Sequence, residues 1–123
     1  MRTLRLGTRG SQLAQWQANW VASLLEQADV RVEVVPLVTS GDRQQKWDIA
    51  GFGQVGVFTK EIQVALLADE IDIAVHSMKD LPTQEVPGLC LGAIPRRGPV
   101  GDVLISRKGQ GLPELPASAV VGT

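Results

Sequence analysis

The residues from Asp72 to Thr83 constrain the fold more than any other part of the sequence. They include the short apolar run Ile73-Ala74-Val75, which is typical of a buried strand in a parallel sheet. Four polar residues follow at once, namely His76, Ser77, Lys79 and Asp80. Pro82 ends the run, because proline cannot donate to a strand ladder and restricts the residue before it. The sequence therefore predicts a strand that delivers a hydroxyl, an ammonium and a carboxylate to the carboxyl edge of a sheet, where open α/β sheets bind ligands.

Strand-like and helix-like segments alternate along the chain. A tight turn at 8–11, in which Ser11 is expected to cap the following helix, separates the first two of them. Residues 43–56 are predicted to form a mobile loop. The predicted elements are a strand at 4–7, a helix at 13–28, a strand at 31–38, a helix at 58–67 and strands at 72–75 and 89–94. This order predicts an α/β fold.

Residues 95–101 are rich in proline, glycine and arginine, which predicts a crossover or hinge. Two more apolar segments, 102–106 and 119–123, are predicted to be strands. The sequence stops directly after the second of them, with no helix following. We therefore expect the chain to be part of a longer protein.

Composition excludes several classes of protein. The chain of 123 residues has a net charge of −1, so no overall field would attract nucleic acid or an anionic membrane. No apolar run approaches the roughly 18 residues of a membrane helix, and the N-terminal residues lack the apolar core of a signal peptide, so a cytoplasmic location is expected. One cysteine excludes an internal disulfide framework, and with one histidine it argues against a zinc site.

Two short motifs each allow a functional and a structural interpretation. Thr8-Arg9-Gly10-Ser11 lies between a strand and a helix, where free backbone N–H groups and an arginine fork suit an anion. The alternative is an exposed turn arginine beside an ordinary serine cap. Lys79-Asp80 is either a surface ion pair worth at most ~1 kcal/mol or a site whose carboxylate faces a developing cation.

Other conspicuous residues favour structural interpretations. Residues 51–56 match G-x-G-x-x-G, but no strand directly precedes them and no acidic residue ends the next strand, which argues against dinucleotide binding. His76 is expected to be a partly buried hydrogen-bonding residue, and Cys90 a buried, inert thiol. Trp16 and Trp20, four positions apart, are expected to pack in the core or at its edge.

Read together, five segments resemble the porphobilinogen deaminase (hydroxymethylbilane synthase) family. The Ala-Val-His-Ser-x-Lys-Asp-Leu-Pro signature within 72–83 is the most specific of them. The order and spacing of all five hold along the whole chain. The segments are Gly7-Thr-Arg-Gly-Ser-Gln-Leu-Ala14 with Trp16-Gln17, Val38-Thr-Ser-Gly-Asp42, Gly56-Val-Phe-Thr-Lys-Glu-Ile62, Asp72–Thr83 and Val120-Val-Gly-Thr123.

The resemblance implies a fold, a domain organisation and a reaction. The expected fold is a lobe like those of type II periplasmic binding proteins, with a mostly parallel sheet flanked by helices. Residues 1–98 would form the first domain, 99–123 a hinge and the incomplete start of a second, and a third domain would be absent. The family joins four porphobilinogen units head to tail with release of ammonia, on a dipyrromethane cofactor, and the full-length enzyme is expected to be a monomer.

The resemblance also implies roles for individual residues. Asp80 corresponds to the family's catalytic aspartate. Arg9 and Ser11 match residues that bind the acetate and propionate groups of substrate and cofactor. The remaining matches are cofactor contacts at Ser77 and Lys79 and weaker cleft contacts at Gln17 and Thr123; no metal ligand is implied.

Two departures from the family pattern limit the resemblance. Loop lysines usual in the family are absent near Gly51 and at Val55. The cofactor-attachment cysteine is also absent, since Cys90 does not match its position, so we expect these residues alone to be inactive. The alternative function is a non-catalytic lobe that binds a small carboxylate, as in solute receptors or regulator sensor domains, since a shared fold does not settle function.

Overall fold

The structure is a computed structural model that describes residues 3–38 and 59–122. The chain divides into two units, Met1–Leu91 and Gly92–Thr123. The first unit contains the regular elements β1 (Leu4–Arg9), α1 (Gln12–Glu26), β2 (Val32–Leu37), α2 (Lys60–Leu67) and β3 (Ile73–Ala74), followed by a 3₁₀ turn at Met78–Asp80. In the second unit the regular element described is a 3₁₀ turn at Leu112–Glu114.

The strands form a parallel sheet with β1 in the centre, in the order β2-β1-β3. Leu6 of β1 pairs with Val34 on one side and with Ile73 on the other. The α/β class predicted from the sequence is confirmed at this level.

Helices cover both faces of the sheet, as a parallel sheet requires. Buried Leu6 packs with Ala18 and Ala22 of α1 on one face. On the other face, Ile62 and Ala65 of α2 pack with Ile71. The small alanines on the buried side of α1 let the helix lie close to the strands.

A side-chain clamp joins the start of β3 to β1. The backbone N–H of Arg5 donates to Asp72 Oδ2 at 2.8 Å, and its guanidinium donates to both oxygens of the same carboxylate at 3.0 and 3.1 Å. The hydrogen bond to Asp72 is the main reason that the pKa of Arg5 is raised. Arg5 also reaches Asp69 at 3.3 Å, so β3 is anchored although it is only two residues long.

Several predicted elements require correction. β1 continues through Arg9, so residues 8 and 9 belong to the strand rather than to a turn. Three strand predictions are wrong. The structure has no strand at 89–94, at 102–106, or in the described part of the third segment, 119–122. These segments are apolar, but apolar composition does not supply a neighbouring backbone for a hydrogen-bonded ladder.

The same error explains Cys90, which is exposed rather than buried because the strand that would have enclosed it does not form.

The predicted loop at 43–56, the G-x-G-x-x-G match and Thr123 lie outside the described residues. None of the helices in the described ranges is long and apolar enough to cross a membrane.

Candidate active site at the carboxyl edge of the sheet

The ends of β1 and β3 bring two distant motifs together. Both strands run in the same direction, so Arg9 at the end of β1 and the polar residues after β3 reach the same sheet edge. Arg9 Nη1 lies 3.7 Å from Asp80 Oδ2. Their side chains are only 13% and 21% exposed, so this ion pair is mostly shielded from solvent. The partner of Asp80 is therefore Arg9 rather than the adjacent Lys79, which is exposed.

A tight turn directs Asp80 back toward the sheet. The backbone N–H of Asp80 donates to the Ser77 carbonyl at 2.9 Å, and that of Leu81 donates to the Met78 carbonyl at 3.2 Å. These bonds close one turn of 3₁₀ helix directly after the strand. The chain then continues into Pro82, which fixes its own backbone angle and limits the exit path.

Two hydroxyl groups hold the first turn of α1, one as its cap and one as a link to β1. Ser11 caps the helix as predicted, since the Ala14 N–H donates to its Oγ at 3.3 Å. Thr8 is fully buried, and its hydroxyl donates to the Ala14 carbonyl at 3.1 Å. The helix N-terminus is thereby held beside the strand end that carries Arg9.

A side-chain pair connects α1 to the segment after β3. The Gln17 amide and the Ser77 hydroxyl approach each other with N–O and O–O distances of 3.1 and 3.2 Å. Both residues were matched to ligand contacts from the sequence, and the structure places them in contact. The predicted residues Arg9, Ser11, Gln17, Ser77 and Asp80 therefore come from three elements that meet at one edge.

His76 lies in the same segment and is half-buried, as predicted. Burial lowers the pKa of its imidazole, the nearby Asp80 carboxylate raises it, and Arg9 lowers it. The expected hydrogen bond to the imidazole is not found among the described residues. The net result is a lowered pKa for His76, with burial as the largest cause.

Thr8 belonged to a predicted motif, but its role as a buried link between β1 and α1 was not predicted. Its signal was available, because Leu6 and Thr8 are two positions apart in a strand and so share a face. Trp16 and Trp20, in contrast, stack with ring centroids 6.4 Å apart; Trp16 is largely exposed and Trp20 is partly buried.

Two further observations delimit the site. A shallow depression lies at the opposite edge of the sheet, where β2 begins, and includes Glu26, Asp29 and Arg31. It contains none of the predicted site residues. Within residues 3–38 and 59–122, no three histidine, cysteine, aspartate or glutamate side chains are grouped so that they could hold a metal ion.

Comparison with known proteins gives the same family that the motifs indicated. Residues 4–123 match the family model described as porphobilinogen deaminase, dipyromethane cofactor binding domain. The chain belongs to the porphobilinogen deaminase family.

Curated relatives support this assignment over the full chain. A porphobilinogen deaminase of Syntrophomonas wolfei is 54% identical across 100% of this chain, which corresponds to 41% of the relative. The porphobilinogen deaminase of Desulforudis audaxviator is 51% identical over 99% of this chain and 40% of the relative. That of Acidothermus cellulolyticus is 47% identical over 100% of this chain and 37% of the relative. The chain thus spans about two fifths of the length of these family members.

Proposed function

We propose that this chain forms one wall of the active site of a porphobilinogen deaminase. The full-length enzyme would join four porphobilinogen units head to tail, with release of ammonia, in tetrapyrrole biosynthesis. The observation that supports this most directly is the shielded Arg9–Asp80 pair at the sheet edge. The family match supports the substrate class.

The reaction creates positive charge that Asp80 is placed to stabilise. When the amine leaves porphobilinogen as ammonia, the pyrrole is left with a positive charge, and the carbon–carbon bond to the growing chain produces a second pyrrole-centred cation that then loses a proton. A carboxylate about 4 Å from such a charge contributes roughly 4 kcal/mol at an effective dielectric constant near 20. If this interaction exists only in the transition state, it corresponds to about a thousandfold in rate.

The side chains at the edge fit a ligand that carries carboxylates, as dipyrromethane and porphobilinogen do. Arg9 supplies a planar guanidinium fork and Lys79 an exposed ammonium. Ser11 supplies a hydroxyl at the N-terminus of α1, whose dipole favours anions, and Ser77 supplies one beside Gln17. When bound, dipyrromethane supplies the pyrrole end on which the chain grows. In this proposal Arg9 and Ser11 bind acetate and propionate groups, Ser77 and Lys79 contact the cofactor, and Gln17 and Thr123 make weaker contacts.

The proposal also includes the finer structural expectations. The lobe would be of the type II periplasmic-binding-protein kind, with residues 1–98 as one domain and 99–123 as a hinge and the start of a second. The helix-covered parallel sheet with its ligand edge is consistent with this fold. The enzyme would act as a monomer in the cytoplasm, and its cofactor-bearing cysteine would lie outside these residues.

A chimera tests the proposal directly. Residues 1–123 replace the matching segment of the Syntrophomonas wolfei relative, and porphobilinogen consumption and ammonia release are measured. We expect a working enzyme in which Asp80→Asn lowers turnover by about a thousandfold, from the Coulomb estimate above. Asp29→Asn is the matched control, since Asp29 is exposed and lies beyond the far end of α1.

Two results would contradict the proposal. One is a folded chimera that binds porphobilinogen but does not release ammonia, as a non-catalytic carboxylate-binding lobe would. The other is an Asp80→Asn variant whose turnover matches that of the Asp29→Asn control, since Asp80 would then have no electrostatic role in the reaction.

A further inference from the structure

Both backbone groups of Ala14 are tied to hydroxyls that lie on either side of Arg9 and Gly10 in the sequence. The Thr8 hydroxyl donates to the Ala14 carbonyl at 3.1 Å, and the Ala14 N–H donates to Ser11 Oγ at 3.3 Å. Residues 8–14 therefore form a closed loop in which the chain leaves β1 and enters α1. Thr8 is fully buried, so water cannot take the place of its hydrogen bond.

The end of β1 has limited support from its strand neighbours. The register between β1 and β3 ends at Gly7, before Thr8 and Arg9. On the other side, Thr8 pairs with Pro36 of β2, which has no backbone N–H to donate. The side-chain bond from Thr8 to Ala14 thus anchors a part of the strand that β3 no longer accompanies.

Thr8 and Arg9 are neighbours in the strand, so their side chains point to opposite faces of the sheet. Thr8 points to the face covered by α1, where its hydroxyl meets Ala14. Arg9 points the other way, and its guanidinium lies 3.7 Å from the Asp80 carboxylate. A rotation of the strand end that moves Thr8 away from α1 would therefore also move Arg9.

Ser11 lies at the far side of the same loop. Its Oγ accepts the Ala14 N–H, and its own O–H can still donate to a ligand. Ser11 is exposed, at the helix end whose dipole favours anions. Arg9 and Ser11 are two residues apart, so their backbones lie within about 7 Å of each other. One ligand with two carboxylates can therefore contact both.

We propose that Thr8 is a positioning residue, whose hydroxyl holds Arg9 and Ser11 at a spacing that lets one ligand with two carboxylates bind both. This inference rests on the proposed function for the class of ligand, since each pyrrole of porphobilinogen and dipyrromethane carries two carboxylates. Thr8 itself does not touch the ligand, because it is fully buried. A change at Thr8 should therefore affect a dicarboxylate more than a monocarboxylate, which can bind to one of the two groups alone.

A nuclear magnetic resonance titration of this chain tests the proposal, with sodium glutarate as the dicarboxylate and sodium acetate as the monocarboxylate. Dissociation constants are obtained from the backbone N–H signals of Ser11 and Gln12, with sodium chloride added to equal ionic strength because salt screens charges. Thr8→Val keeps the shape of the side chain and removes the hydroxyl, whereas Thr8→Ser keeps the hydroxyl. Val32→Ala is the control for lost stability, since Val32 packs against buried Leu6 from the start of β2, at the opposite edge of the sheet. Circular dichroism shows whether each variant is folded.

The expected result is a preference for glutarate that depends on the hydroxyl of residue 8. The unsubstituted chain and Thr8→Ser should bind glutarate about tenfold more tightly than acetate, as one additional charge-assisted contact would allow. Thr8→Val should lose most of this preference through weaker glutarate binding, with its acetate affinity nearly unchanged. Val32→Ala should retain the preference, because lost stability alone does not change the spacing of Arg9 and Ser11.

Three results would overturn the proposal. They are equal affinities of the unsubstituted chain for glutarate and acetate, a glutarate preference that survives in folded Thr8→Val, and a loss of preference in Val32→Ala as large as that in Thr8→Val. If Thr8→Val does not fold, Thr8→Ser decides the question. A retained glutarate preference would then support the role of the hydroxyl, and a lost preference would overturn it.

Failure of this inference is separable from failure of the proposed function. The titration requires no turnover, so an inactive chimera together with a glutarate preference that depends on Thr8 would reject the enzyme and keep the positioning role. An active chimera together with a glutarate preference that ignores Thr8→Val would reject the positioning role and keep the enzyme.

Discussion

Gly7 provides a sharp test of how the central strand is packed. It lies in β1 between Val35 of β2 and Ala74 of β3. A Cβ atom added to Gly7 would overlap the Cδ1 atom of Ile71. Ile71 is only 2% exposed, so its side chain cannot move into solvent to relieve the overlap. We therefore expect Gly7→Ala to destabilise the fold.

The magnitude follows from which atoms collide. Overpacking a close-packed core costs about 1–3 kcal/mol. The other two Ile71 side-chain atoms would lie 3.5 and 3.6 Å from the new Cβ, which is ordinary contact. Ile71→Val removes Cδ1 and by itself costs about 0.5–1.5 kcal/mol. The double variant should therefore be no less stable than Ile71→Val, because the overlap is gone and alanine restricts the unfolded chain, a gain of about 0.4–1 kcal/mol.

Urea unfolding of the two single variants and the double variant measures this coupling as a double-mutant cycle. We expect an interaction free energy of about 1–3 kcal/mol that favours the pair. Gly92→Ala is the control, because nothing lies within 4 Å of its added Cβ, and its effect should stay within about 0.5 kcal/mol. Strictly additive losses would refute the packing argument.

Three smaller predictions concern the edge itself. Thr8→Val should lower the free energy of unfolding by about 1–2 kcal/mol, because the buried hydroxyl bond to Ala14 is lost; the exposed Thr83→Val is its control, and equal effects of the two would contradict the assignment. Ser11→Ala should cost about 1 kcal/mol through loss of the helix cap, seen as a lower urea midpoint, and an unchanged midpoint would show that the cap is dispensable. Burial lowers the pKa of His76 in the folded chain. As the pH falls, His76 is therefore protonated in the unfolded chain before it is protonated in the folded chain. The free energy of unfolding should be highest above about pH 6.5 and should decrease as the pH drops toward the lowered pKa. His76→Gln should weaken that fall between pH 7.5 and 5.5, and an identical pH dependence in both proteins would reject this role.

Local patterns predicted the helices and strands of the first unit well, because helices and strands differ in the spacing of their apolar residues. The apolar spacing of α1 and the cap at Ser11 lie within one stretch of sequence, and the structure reproduces both with ends shifted by one or two residues. The sheet edge was also predictable, since parallel strands separated by helices must end on the same side. That rule places the end of β1 and the segment after β3 at one edge, but it does not by itself bring Arg9 and Asp80 into contact.

Contacts between distant residues were beyond the same reasoning. The Arg5–Asp72 clamp joins positions 67 apart, and no periodicity in the sequence indicates it. The strands expected at 89–94 and 102–106 failed for the related reason that strand formation depends on a partner, which apolar composition does not identify. Cys90 was assigned to the core through that error.

The placement of Asp80 depends on contacts made by other residues. β3 is too short to hold its own exit, yet it is fixed at both ends. Asp72 is tied to Arg5 before the strand, and Ser77 is tied to Gln17 after it. Between these ties, the backbone N–H groups of Asp72 and Val75 donate to β1 at 2.9 and 3.1 Å.

A carboxylate that stabilises a transient cation contributes most when it is already in position as the charge develops, since reorganisation would consume part of the stabilisation. A two-residue strand fixed on both sides provides that preorganisation with little ordered chain. In the proposed function, the Arg9–Asp80 pair at the edge and the contacts behind it therefore have separate tasks. Under that proposal, Arg9 and Asp80 determine what the site attracts, whereas the Arg5–Asp72 and Gln17–Ser77 contacts hold its geometry.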